Sequence, residues 1–290
     1  MMDYITKIRA NVSIYTTRKT SNILDGAYRS IYMGRSLNFE DLREYIPGDN
    51  IRDIDWKASS RSRNLLVKRY IAEKKHNIML VFDSGLKMSG DTRLEESKKE
   101  TALYVGGTIA YIAYKNGDNV GALYNSDGLI QFHQLKTGLY NVEKILSSYQ
   151  ADALKGKKNS ISKTLNYIIN NFRRKMIIFV ITDAAGASEI DEGTLKRLYA
   201  RHDVLFVTIS DADITGARSF DLDADTYIPN FVTGNKKLIA LEQVHKKKIS
   251  DQNERKFLKF GISAVEVNGK EEIVTKVTEL LEKHRYANVR

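Results

Sequence analysis

Two stretches of the chain are apolar almost without interruption and end in aspartate: Asn77-Ile-Met-Leu-Val-Phe-Asp83 and Met176-Ile-Ile-Phe-Val-Ile-Thr-Asp183. A strand covered on both faces needs such a run, because neither side of its pleat meets water. The stretch 65–72 instead alternates. Leu65, Val67, Arg69 and Ile71 fall on one side and Leu66, Lys68, Tyr70 and Ala72 on the other, which predicts a strand with one wetter face. Further strands are predicted at 119–125 and 129–135, flanking a turn at Ser126-Asp127-Gly128, and at 203–210 and 262–268. Between them the pattern shifts to spacings of three and four. This predicts helices at 3–20, 94–115, 138–149, 160–173, 188–200, 241–259 and 270–285. In the second of these, Leu103, Gly106, Gly107 and Ala110 would allow close packing on a sheet. Residues 25–40 read as irregular or as short strands, and 211–240 as irregular with a hairpin near Tyr227 and Leu238. From residue 77 onward strands alternate with helices. The expected fold is therefore α/β: a mostly parallel open sheet with helices on both faces, preceded by an N-terminal α+β extension. The expected division is 1–75 for the extension and 76–290 for the sheet domain.

The bulk numbers narrow this. A 290-residue chain that is 42% apolar and 28% charged is that of a globular protein. No run long enough for a membrane-spanning helix occurs, and the N-terminus lacks the apolar core of a signal peptide. The absence of cysteine excludes disulfides, thiolate metal sites and cysteine nucleophiles, and a cytoplasmic location is expected. The net charge of +10 is spread along the chain, with no recognition module for nucleic acid. The basic run Lys236–Lys259 holds eight Lys or Arg and three acids. It reads as a solvated helix face, with an acidic partner or nucleic acid as the alternative use. The five histidines form no close-spaced ligand pair, and there is no phosphate-binding loop or nucleophile elbow.

In open α/β sheets, ligands bind beyond the carboxyl ends of the strands. Asp83 and Asp183 both stand at that edge. Two carboxylates there suit a hard cation, and equally suit capping of the turn or helix that follows. An apolar strand ending in Asp, a long helix, a Thr/Ser-bearing loop and a second strand ending in Thr-Asp resemble the von Willebrand factor A domain. In that family the first strand ends in Asp-x-Ser-x-Ser, and a loop Thr and a later Asp complete the metal site. By this resemblance the site equivalents here are Asp83, Gly85, Lys87, Asn159 (or its neighbour Ser160) and Asp183. Both coordinating serines are replaced, by Gly85 and Lys87. An ammonium about 4 Å from a divalent ion is strongly repulsive in a partly buried site. The resemblance therefore implies a degenerate metal-ion-dependent adhesion-type site. Lys87 is expected to pair with Asp83 or Asp183 or to point into solvent. No cofactor is expected beyond weakly held Mg²⁺.

The segment Arg43–Tyr70 carries seven basic and four acidic side chains and the only tryptophan. Pro47-Gly48-Asp49-Asn50 is a strong turn signal. Arg43, Arg52 and Arg61 are within reach of Asp49, Asp53 and Asp55, and Trp56 suits anchoring a loop on a core. This predicts a structural clamp that fixes an irregular connector against the sheet edge, whose exposed members, Lys57 among them, would touch a partner. The stretch 36–70 closely resembles the hallmark of a bacterial family of domains of unknown function, number fifty-eight, at Phe39, Leu42, Arg43, Tyr45, Gly48, Asp49, Arg52, Ile54, Trp56 and Arg61. That resemblance implies an adaptor for a MoxR-type AAA+ ATPase or its client, with no established catalytic activity. Two alternatives are weighed beside it. One is a metal-dependent hydrolase or nuclease using Asp83, Asp183 and a third acid such as Asp127 or Asp211. The other is a basic nucleic-acid binder, whose complexes should weaken steeply with salt.

Overall fold

The two apolar runs lie side by side at the centre of a six-stranded sheet. A computed structural model describes residues 4–8, 28, 41–49, 51, 54–62, 64–69, 75–153, 159–213, 220–221, 226–227 and 235–287. The strands are β1 (Asp41–Glu44), β2 (Leu66–Arg69), β3 (Asn77–Phe82), β4 (Asn119–Ser126), β5 (Leu129–Lys136), β6 (Ile177–Asp183), β7 (Asp203–Ile209), β8 (Phe220–Asp221), β9 (Thr226–Tyr227) and β10 (Ser263–Val267). The helices are α1 (Trp56–Ser59), α2 (Lys98–Lys115), α3 (Leu139–Ala153), α4 (Ile161–Asn171), α5 (Ala184–Glu189), α6 (Glu192–Tyr199), α7 (Lys236–Lys259) and α8 (Ile273–Ala287). The main sheet runs β10-β7-β6-β3-β4-β5, and every pairing is parallel except β4 with β5. Two residues join that antiparallel pair. Asp127 and Gly128 both have positive φ, 56° and 82°, as the tight hairpin turn between right-twisted strands requires.

Both faces of the sheet are buried, which is why β3 and β6 have no polar alternation. Ile78, Leu80 and Phe82 point to one side with Phe179, Ile181 and Leu205, under α2, α3 and α8. Met79, Val81, Ile178, Val180 and Phe206 point to the other, under α4, α6 and Phe257 of α7. Gly106 and Gly107 bring α2 close in. A Cβ on Gly106 would lie 2.3 Å from Phe82 Cζ, and one on Gly107 2.2 Å from Ile8 Cδ1. Ile5 and Ile8 belong to the helical residues 4–8 and are buried in this same core, as is Tyr28, whose hydroxyl donates to Asp118 Oδ2 (2.5 Å). The rest of the helix expected over 3–20, and residues 29–40, lie outside the described residues.

Two expectations are corrected. The helix expected at 188–200 is two helices. Asp191 caps the second through Thr194 N (2.8 Å) and Thr194 Oγ1 (2.6 Å), so the chain breaks there. The basic helix begins at Lys236 rather than 241, because Asn235 accepts from Lys237 N and Leu238 N. The alternating strand after Asn64 lies in a separate two-stranded sheet. It pairs antiparallel with β1, and Val67, its buried member, faces Ile54 across an isolated bridge. Among the described residues no helix is long and apolar enough to cross a membrane.

Candidate functional site

The carboxyl edge of β3, β6 and β7 places Asp83, Asp183 and Asp211 together, as the strand ends predict. Asp83 is 6% and Asp183 1% exposed. The first carboxylate is held by its own turn and by the next strand. Gly85 N donates to Asp83 Oδ1 (2.9 Å) and Thr182 Oγ1 donates to Asp83 Oδ2 (2.6 Å). Burial, seconded by the negative charge of Asp183, pushes the Asp83 carboxyl up to about 6 against those hydrogen bonds. Beneath it, the fully buried Tyr149 donates to the Asp83 carbonyl (2.8 Å) and stacks on Phe82 with ring centroids 4.4 Å apart. Asp183 caps α5, its Oδ1 accepting from Gly186 N (2.6 Å). Gly186 has no room for a side chain: a Cβ would lie 2.2 Å from Thr182 Oγ1 and 2.6 Å from Asp83 Oδ2.

The cation of this site is Lys98. Its ammonium donates to Asp183 Oδ2 (2.9 Å) and to Asp211 Oδ1, with the lysine side chain 3% exposed. Burial works against that charge, but the two carboxylates outweigh it and hold the ammonium above the ordinary lysine value. The loop before α2 delivers the side chain. Lys98 N donates to the Gly90 carbonyl (3.1 Å), Asp91 bridges Ser97, and Ser97 caps the helix at Glu100 N. Lys98 thus opens the buried stripe Lys98, Ala102, Val105, Ile109 and Ala113. A lysine heading an apolar stripe on a sheet-facing helix is the signal that could have found it.

Lys87 does not take that role. It lies on a 3-10 turn, Leu86–Ser89, and pairs with Glu189 at the surface. Gly85 is closed off as well, since a Cβ there would lie 2.8 Å from the Asn159 carbonyl oxygen and 3.2 Å from Asp83 Oδ1. Asn159 is brought to the site, but its amide turns to Ser84, donating to the carbonyl and to Oγ (3.4 Å each), while Oδ1 accepts from Gly128 N (3.3 Å). Ser84 Oγ in turn donates to the Asn125 carbonyl. These residues do not fit a divalent cation. A dication set about 4 Å from the Lys98 ammonium would meet a repulsion of roughly 8 kcal/mol at an effective dielectric of 20. Among the described residues no cluster of three acidic or histidine groups converges as a ligand set.

The basic helix α7 is fastened over the neighbouring edge. Lys246 Nζ donates to Ala212 O (2.8 Å) and Asp213 Oδ1 (2.7 Å), and Asn253 Nδ2 to Ala184 O (2.8 Å). Lys256 Nζ donates to Ala187 O (2.8 Å) and Ile190 O (2.9 Å), and Lys259 pairs with Glu192 (2.5 Å). Three of its cations are therefore engaged with the chain itself. A cleft of about 1090 Å³ runs beneath it past Asp211, Thr208 and Ala264.

In the signature segment, Arg43 Nη2 donates to Asp49 Oδ1 (2.5 Å), and that arginine holds the Asp49 carboxyl below its usual range. Asp49 Oδ2 accepts from Ile46 N (3.0 Å), and Asp49 N donates back to Ile46 O (3.0 Å). Gly48, with φ of +109°, turns the chain between them. Tyr45 N donates to Leu65 O (2.8 Å). Of the expected network, the Arg43–Asp49 pair is formed, within the extension's own turn. Arg52 and Asp53 lie outside the described residues. Trp56 is a correction: it does not anchor a loop on the core but opens α1 with 63% of its surface exposed. Lys57 and Arg61 are exposed too.

The family described as "Protein of unknown function DUF58" matches residues 41–215. Uncharacterized proteins from Mycobacterium bovis and Mycobacterium tuberculosis are 23% identical over 196 residues, 67% of this chain. The chain spans 61% of the length of those curated relatives. Among solved structures, the chain is similar to an aerotolerance-related membrane protein from Bacteroides fragilis (16% identity, TM-score 0.43, 72% of this chain and 99% of that one). It is also similar to the conserved hypothetical protein BatB from Bacteroides thetaiotaomicron (16%, 0.44, 72% and 98%) and to a von Willebrand factor type A structure from Catenulispora acidiphila (10%, 0.39, 76% and 44%).

Proposed function

Because this chain belongs to the DUF58 family, whose description gives no activity, we propose its role from the geometry: a non-catalytic interaction module. It engages a MoxR-type AAA+ ATPase or that ATPase's client, in the cytoplasm. Residues 76–290 form the A-like domain and residues 1–75 the extension that bears the signature. The observation that carries the reading is Lys98. An internal ammonium supplies the positive charge that a metal would bring to Asp183 and Asp211. The site is then a fixed polar knot that stiffens the carboxyl edge, and its worth lies in holding shape rather than in activating water or a ligand. The degenerate adhesion-type site of the sequence resemblance is, in this reading, a site whose cation has become covalent. The nuclease alternative loses its metal, and the nucleic-acid alternative loses three of the eight α7 cations, Lys246, Lys256 and Lys259, to bonds within the chain itself.

Co-purification tests the reading. The native protein, tagged and expressed with the MoxR-type ATPase of its own organism, should retain that ATPase in at least one of three conditions: ATP, ADP or no nucleotide. Failure in all three removes the ATPase from the proposal.

A further inference from the structure

Five of the fifteen exposed large hydrophobic side chains among the described residues fall within residues 42–65: Leu42, Ile46, Ile51, Trp56 and Leu65. Exposed apolar residues scattered singly are ordinary, so what counts is whether these lie together in space. The backbone brings its core members to one place. Tyr45 N donates to Leu65 O (2.8 Å) and Asp55 N donates to Leu66 O (2.9 Å). Ile46 and Trp56, the next residues along each strand of chain, therefore leave from the same end of the β1–β2 ladder, beside Leu65.

The charges there are unequal in availability. Each described acid is engaged within the segment: Asp49 by Arg43 and Ile46 N, Asp55 by Ala58 N, and Glu44 by Asn64 Nδ2. Lys57 and Arg61, one and five residues beyond Trp56, are exposed, and their side chains make no ion pair or hydrogen bond among the described residues. What this surface offers a partner is thus apolar area, one indole and two exposed cations with no side-chain partner among the described residues. Tryptophan and arginine are the side chains on which interface energy most often concentrates.

We propose that this end of the β1–β2 ladder, Ile46, Trp56 and Leu65 with Lys57 and Arg61, docks an acidic amphipathic segment of a partner protein. The proposal rests on the interaction-module reading and names its surface. Apolar side chains of the segment cover Trp56 and the two neighbouring aliphatic groups, and its carboxylates meet Lys57 and Arg61.

The chain's sole tryptophan reports on the surface directly. The probe is a synthetic helical peptide of Leu, Phe and Glu, compared with the same peptide carrying Lys for Glu and with polyglutamate. The free protein should show the red-shifted emission of a solvated indole. The acidic peptide should shift it to the blue at saturation, and the two controls should not. Trp56→Ala, followed by anisotropy of labelled peptide, should weaken binding about tenfold or more. Lys57→Glu and Arg61→Glu should each weaken it about two- to fivefold, and salt should weaken it further. Buried-type emission from the free native protein, no binding, equal binding of the Lys peptide or of polyglutamate, or unchanged affinity in Trp56→Ala would overturn the proposal. The native protein's emission serves even where a variant fails to fold. If the peptide fails while the ATPase co-purifies, the surface is wrong and the adaptor reading stands. If the peptide binds and the ATPase does not, the reverse holds.

Discussion

Replacing Lys98 by methionine keeps most of the buried stem and removes only the ammonium. Asp183, 1% exposed, then faces Asp83 and Asp211 with no cation at its Oδ2. Removing one partner of a buried ion pair costs about 3–5 kcal/mol, because the remaining charge is left desolvated and unpaired. Against a total stability on the order of 5–15 kcal/mol this is a large fraction. At about 2–4 °C per kcal/mol, the melting temperature should fall by roughly 6–20 °C. Urea unfolding followed by circular dichroism measures the loss at equilibrium. The double variant Lys98→Met/Asp183→Asn completes the argument. With charge removed from both partners, at least half of the loss should return, since a neutral pair of similar shape is often as stable as the ionic one. A loss below about 1 kcal/mol in Lys98→Met would refute the reasoning, as would additive losses in the double variant.

Other consequences are equally concrete. The raised Asp83 carboxyl gives a signed pH dependence. Its native value, about 6, lies above the unfolded value near 4, so its contribution to stability is present below pH 4 and lost as pH rises through 6. Asp83→Asn should therefore be about 1–3 kcal/mol more stable than the native protein at pH 8 and show no gain at pH 4, by urea midpoints at the two values. A gain equal at both pH values would contradict the assignment. Gly186→Ala should destabilise by about 2 kcal/mol or more, because its Cβ meets Thr182 Oγ1 and Asp83 Oδ2 inside van der Waals distance. Thermal unfolding that matches the native protein would show that the turn has slack. Tyr149→Phe should cost about 1 kcal/mol by urea titration, the worth of a buried hydrogen bond to the Asp83 carbonyl.

Much of this fold is legible in the sequence because burial on both faces of a sheet imposes short continuous apolar runs of strand length. Asn77–Phe82, followed by Asp83, and Ile177–Asp183 read as inner parallel strands, and parallel pairing then puts the two aspartates on one edge. The antiparallel β5 is legible for a different reason: only two residues separate it from β4. The identity of the cation at the site is harder to read. Lys87 is nearer in sequence to Asp83 than Lys98 is, but it turns toward Glu189, 102 residues away, a partner that only the packing of α5 supplies. Lys98 is delivered by a loop that folds back on Gly90, and its one trace in the sequence is its place at the head of an apolar stripe. Trp56 misleads because an indole serves a core or an interface equally well. Which one depends on whether the neighbouring chain covers it, and no local spacing encodes that.

Whether the Lys98 ammonium stands where a metal would bind is decided by calorimetric titration of the native protein with Mg²⁺ and with Mn²⁺. Neither ion should give saturable heat. Saturable binding in the micromolar range, abolished by Asp83→Ala, would contradict that assignment.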